Sequence, residues 1–222
     1  MVLNIELSNK HMRQTRDFTL TSQKLEETVR HYSYTGENRI KDSVVENTQF
    51  PPITKTFYSY VFENDNVPSP DALVELYLAQ ECFTEIPPDK YAINYETTNT
   101  TVSKEGLIAR ILRTYPSLLR DLHFYLMAVE SNLFQSVWYS VSDDFTKGID
   151  IRVKYNDSWF DIALLQNTVR SKFFKDKKKK RHSGANGNLI YVELDQKQSK
   201  RCGDYNLYTR HHIEQLIAVI QK

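Results

Sequence analysis

Apolar residues fall at helical spacing through much of the first 133 residues of this chain and alternate along strands beyond them. The stretch TSQKLEETVRHYS, with Thr21 as N-cap and Leu25 and Val29 four apart, predicts a first helix, after which a Pro-flanked stretch through Pro51 and Pro52 carries weak signals. Ser69 as N-cap, Pro70 at the first helical position, Asp71 near the positive helix end and the stripe Leu73, Leu76, Tyr77 predict a helix from about 70 to 83. Pro87 and Pro88 end it, and NYETTNTTVS reads as a loop or interdomain join. Leu107, Ile111 and Leu112 mark another helix. Pro116 should break it, and Ser117 should cap a new, largely apolar helix reaching about residue 133.

Beyond that point SVWYSV, IDIRVKY and WFDIALLQN read as three strands, separated by the turn SDDFTKG and by a short turn at Asn156 and Asp157, so that the last two form a hairpin. TVRSKFFKDKKKKRH reads as a basic helix capped by Thr168, HSGANGN as a turn, and LIYVELD as a short apolar strand. Ile213, Leu216, Ile217 and Ile220 share one face of a closing helix. The expected fold class is α/β (α+β): a helical N-terminal part, then a small mixed β-sheet flanked by helices. The division expected is a mostly helical region over 1–100 and a strand-bearing core over 101–222.

Composition narrows the function. With 222 residues, 40% apolar and 26% charged, there is chain enough for a real core. No apolar run approaches the roughly 18 residues of a membrane helix, and the start lacks the pattern of a signal peptide, so a cytoplasmic protein without membrane association is expected. Two distant cysteines, Cys82 and Cys202, exclude a disulfide framework and a Cys-based zinc site. No GxGxxG or GxxxxGK[ST] stands in the chain, which argues against dinucleotide and P-loop phosphate binding. The net charge of +1 conceals a split: positions 147–222 hold 16 Lys+Arg against 8 Asp+Glu, leaving 13 basic and 20 acidic residues before them. The C-terminal third suits a polyanion such as nucleic acid, and the acidic N-terminal part suits docking to a partner protein.

The order helix, strand, strand, strand, helix, strand, together with an aspartate opening the second strand (Gly148-Ile149-Asp150-Ile151), resembles the PD-(D/E)XK nuclease superfamily over roughly residues 117–195. The resemblance implies a restriction-endonuclease-like core in which the second-strand aspartate and an acidic or Gln residue of the third strand bind Mg²⁺ or Mn²⁺. A Lys two residues further on orients the attacking water, and a first-helix Glu assists. Two hard oxygen ligands on a divalent ion polarise a phosphodiester and lower the pKa of bound water. On this chain Asp150 is the first ligand. If the hairpin turn is Asn156-Asp157, Asp150 falls opposite Ala163 and Asp161 shares its face; a three-residue or bulged turn puts Gln166 there instead. Neither register yields acid-x-Lys, and Gln166-Asn167-Thr168 reads as a degenerate version whose positive charge comes from Arg170 or Lys172. Glu130, Asp121 and Glu105 are the candidates for the first-helix acid, Glu130 being nearest the strands.

Other residues carry plainer readings. Asp161 has a structural alternative, pairing across the hairpin with Lys154, and His123 reads as a satisfied core histidine. His211-His212 reads as a solvated helix start, and Trp138, Tyr139, Tyr155, Trp159 and Phe160 as sheet packing. Lys175, Lys177, Lys178, Lys179, Lys180 and Arg181 form a cationic run suited to phosphates and blind to bases. The expected function is a metal-dependent nuclease acting on DNA or RNA in a phage, mobile-element or defence setting. The alternative from a different class is an inactive nuclease-like subunit that binds nucleic acid or assembles with a partner.

Overall fold

The computed structural model describes residues 2–7, 13–36, 39–166, 189–195 and 197–222. The chain is mixed α and β and forms two compact units interleaved in sequence: residues 1–27, 119–202 and 206–222 make one, residues 28–118 and 203–205 the other.

The first unit is built on a six-stranded mixed sheet. In chain order its strands are β1 (Val2–Glu6), β2 (Arg13–Asp17), β6 (Ser136–Ser140), β7 (Ile151–Tyr155), β8 (Ser158–Gln166) and β9 (Leu189–Leu194), and across the sheet they run β2-β1-β6-β7-β8-β9. The β6-β7 and β7-β8 pairs are antiparallel and β8-β9 is parallel. One face carries Val137, Ile151, Val153, Ile162, Leu164, Val192 and Leu194, all buried. The second half of helix α5 (Lys104–Glu130) brings buried Leu122, Phe124 and Leu126, and Phe124 meets Tyr208 edge-on at 5.0 Å. Helix α7 (Arg210–Ile220) buries Ile213 and Leu216, while Ile217 and Ile220 of the expected stripe are half-buried. Helix α1 (Ser22–Val29) starts where the sequence places it, the Thr21 hydroxyl accepting the Lys24 N–H at 3.1 Å. A short hairpin, β10 (Lys200–Cys202) with β11 (Tyr205–Leu207), precedes α7.

The second unit holds helices α2 (Ser43–Asn47), α3 (Ile53–Asn64), α4 (Pro70–Leu78) and the first half of α5, with a three-stranded antiparallel sheet of β3 (Phe83–Ile86), β4 (Lys90–Tyr95) and β5 (Thr98–Ser103). The Ser69 side chain accepts the Ala72 N–H at 3.1 Å with Pro70 in the first turn, as the sequence predicts, but the helix stops at Leu78 and Phe83 opens a strand.

Four sequence expectations are corrected. The first hundred residues are not mostly helical: β1 and β2 join the large sheet, β1 pairing parallel with β6 across more than a hundred residues, a link no local pattern announces. NYETTNTTVS is not a loop but much of the β4-β5 hairpin, in which β-branched threonines suit a pleated surface and Tyr91, Ile93 and Val102 are buried. Pro116 does not break α5. Although it removes the N–H due to the Leu112 carbonyl, Leu112, Tyr115, Leu118 and Leu119 are all buried around it, and the Tyr115 hydroxyl donates to the Pro68 carbonyl at 2.5 Å, so packing outweighs the local penalty. SDDFTKG is not a turn but most of α6 (Val141–Lys147): Ser140 caps it by accepting the Asp143 N–H, and Gly148 ends it at φ 64°, a left-handed conformation that suits glycine. The basic helix capped by Thr168 lies outside the described residues. No helix among the described residues is long and apolar enough to cross a membrane.

Candidate functional site

The hairpin settles which side chains meet. Asn156 and Asp157 both have positive φ, 45° and 62°, and Tyr155 pairs with Ser158, which is a two-residue turn with the twist that joins antiparallel strands. That register places Asp150, Arg152 and Lys154 on the face of the sheet opposite the apolar one, together with Trp159, Asp161 and Ala163 of β8. Of the two residues weighed as partner to Asp150, Asp161 therefore shares its face. Gln166 ends β8 opposite Leu194 and points to the other face.

Both aspartates are buried, each 5% exposed, and both are committed to the fold. The Asp150 backbone donates to the Ile162 carbonyl at 2.9 Å, and its Oδ2 accepts the Leu164 N–H at 2.5 Å. The carboxylate thus stands where a strand carbonyl would, extending the β7-β8 ladder by one bond. This accounts for an Asp between two isoleucines on a strand. Asp161 is not paired with Lys154, whose Nζ lies 2.9 Å from Asp157. Its partner is the residue directly opposite, Arg152, whose Nε donates to Asp161 Oδ1 at 2.7 Å. The same guanidinium reaches Asp143 Oδ2 on α6 at 2.9 Å through Nη1, and Lys147 closes on Asp143 Oδ1 at 2.7 Å. Asp161 Oδ2 is buried and has no partner.

The remaining candidates divide. Glu130 is engaged elsewhere and caps α1: its carboxylate accepts the Ser22 N–H at 2.7 Å and the Ser22 hydroxyl at 2.5 Å. Glu105 is exposed in the second unit. Arg170, Lys172, Lys175, Lys177, Lys178, Lys179, Lys180 and Arg181 lie outside the described residues, between the end of β8 and the start of β9. Trp138 and Trp159 meet edge-on at 6.4 Å, and Trp159 keeps 41% of its surface exposed.

A second polar cluster was partly foreseen. His123 is fully buried and its Nε2 meets Glu26 Oε1 at 3.1 Å, but its Nδ1 has no partner, so the satisfied core histidine expected from the sequence is satisfied on one side. Lys200 of β10 meets Glu26 Oε2 at 2.5 Å. The His123 hydrogen bond foremost, with Lys200 beside it, holds the Glu26 carboxyl below its ordinary range against the opposing pull of burial. Glu26 and Lys200 line a cleft of about 420 Å³ within the first unit. The sequence signal for this group was an acid beside the apolar stripe of α1, visible only once its facing element is known. His212 departs from the solvated start expected of it: it is buried, and its Nδ1 accepts the Thr209 N–H at 3.0 Å.

The donors fit a divalent cation poorly. Mg²⁺ demands several oxygen ligands at about 2.1 Å. Here one oxygen of Asp150 is held by a backbone N–H, one of Asp161 is held by Arg152, and Gln166 is on the far face. Among the described residues no three His, Cys, Asp or Glu side chains converge on one point. Comparison with known proteins finds no matching family model, no matching curated protein and no matching solved structure.

Proposed function

We propose that this chain is a catalytically inactive, nuclease-like core that binds nucleic acid as a subunit of a larger assembly. The observation that carries the reading is Arg152. A guanidinium lies on Asp161, the one carboxylate that the hairpin register offers Asp150 as a co-ligand, and supplies there the positive charge that a metal ion would supply. Two further features support it. The strands β6-β7-β8-β9, two antiparallel steps and one parallel, keep the strand part of the order that drew the resemblance, with α6 inserted after the first. The segment 167–188, which lies in the chain between β8 and β9, holds eight Lys+Arg and one Asp, seven of the eight surplus charges of the C-terminal third. Such a segment attracts phosphates without reading bases. Cys82 and Cys202 stand outside any disulfide, which suits a cytoplasmic setting.

The test is a cleavage and binding assay on single- and double-stranded DNA and RNA with Mg²⁺, Mn²⁺ or EDTA. The proposal expects binding that is the same in metal and in chelator, and no cutting. Metal-dependent cutting that is lost in Asp150→Asn, with folding retained, would restore the active nuclease and overturn it.

A further inference from the structure

The Arg152 cluster has the make-up of a metal site with the metal replaced by a side chain. Asp143 and Asp161 approach one guanidinium from different nitrogens, at 2.9 and 2.7 Å, with side chains only 13% and 7% exposed. Asp161 presents a second oxygen, Oδ2, that is buried and has no partner. An acceptor in that condition costs stability unless a cation or donor reaches it. The formal charges balance, two carboxylates against Arg152 and Lys147. Removing the guanidinium leaves buried Asp161 without its cation and half-buried Asp143 with Lys147 alone, an arrangement that favours uptake of another cation. Both are hard oxygen donors, and a divalent ion that keeps part of its water shell suits a two-carboxylate wall.

We propose that Arg152 is the resident cation of a latent divalent-metal site walled by Asp143 and Asp161, and that this side chain is what closes the site to Mg²⁺ and Mn²⁺. The inference rests on the inactive-core reading and names its cause. Neither Asp143 nor Arg152 is foreseen from the sequence, because the contact depends on α6 forming where a turn is expected.

The experiment compares the full chain with Arg152→Ala, Arg152→Lys and the double variant Arg152→Ala/Asp161→Asn, by thermal unfolding in Mn²⁺ or EDTA and by counting bound Mn²⁺ from its electron paramagnetic resonance signal. Wild type and Arg152→Lys should unfold at the same temperature in both buffers. Arg152→Ala should bind one Mn²⁺ and gain about 4 °C when Mn²⁺ stands at ten times its Kd, and the double variant should lose both effects. If Arg152→Ala is unfolded in EDTA, recovery of its circular dichroism in Mn²⁺ supports the proposal, and Arg152→Gln supplies the same comparison in a milder background. A folded Arg152→Ala or Arg152→Gln that binds no Mn²⁺ overturns it, as does failure of Mn²⁺ to refold either variant. So does Mn²⁺ binding by wild type that Asp161→Asn abolishes. The first two results leave the inactive-core reading standing, whereas metal-dependent cleavage by wild type removes that reading whatever the variants do.

Discussion

At the scale of single residues, Asp150 shows how a buried acid can be mistaken for chemistry, and Glu26 how one can escape notice. Asp150 stands out in the sequence because aspartate is unfavourable within a strand. The reason for its presence is the Leu164 N–H, which a carboxylate oxygen bonds in place of a backbone carbonyl. Asp150→Ala leaves that donor buried and unsatisfied, so the expected loss is about 1–3 kcal/mol of stability in denaturant unfolding. Asp150→Asn keeps an acceptor oxygen at the same place and should cost less. Equal stability of wild type and Asp150→Ala would contradict the ladder role. Glu26 gives a pH dependence. Its carboxyl titrates below its ordinary value of 4.5 because His123 and Lys200 favour the ionised form, so its contribution is fully present above pH 4.5 and disappears as the pH falls below it. The stability gap between wild type and Glu26→Gln should be constant near neutrality and shrink on acidification past that value, as chemical denaturation at stepped pH would show. A gap that widens instead would mean that the carboxyl is bound as its neutral form.

At the scale of elements, some caps and one turn were legible, while the turn expected at SDDFTKG and the break expected at Pro116 were not there. Thr21, Ser69 and the Asn156-Asp157 turn act as their residue types suggest, because each depends on a side chain or dihedral within three positions. Asn tolerates the left-handed conformation at 156, and a β-branched residue does not; Asn156→Val should therefore cost about 1–2 kcal/mol by the same unfolding assay. Pro116 misled, since its penalty is local and its compensation is the burial of Tyr115 and its neighbours in α5. Pro116→Ala should raise stability by about 2 kcal/mol, the helix-interior penalty less the extra freedom of the unfolded chain, and shift thermal unfolding upward. An unchanged or lowered transition would show that the helix has adapted its packing to the proline ring.

At the scale of the whole molecule, charge is the property most visible in the sequence. Almost the entire basic surplus of the C-terminal third stands in 167–188, a fact of composition that holds whatever the segment's conformation. If this run meets phosphates, replacing Lys177, Lys178, Lys179 and Lys180 by Gln should weaken binding alike for unrelated sequences. Each lost contact should flatten the log Kd against log salt slope by about 0.9 on duplex DNA and about 0.7 on single strands. An unchanged slope would place the nucleic-acid surface elsewhere.

The sequence by itself determined the strands β6 to β9, the place of the turn at Asn156-Asp157, the capped starts of α1 and α4, and the uneven charge, all of which follow from residues close together in the chain. Tertiary structure decided the rest: the parallel pairing of β1 with β6, the continuity of α5 through Pro116, and the meeting of Arg152 with both Asp143 and Asp161. Those outcomes turn on burial and on partners far off or on neighbouring elements, whose energies exceed the local preferences that a linear reading can weigh.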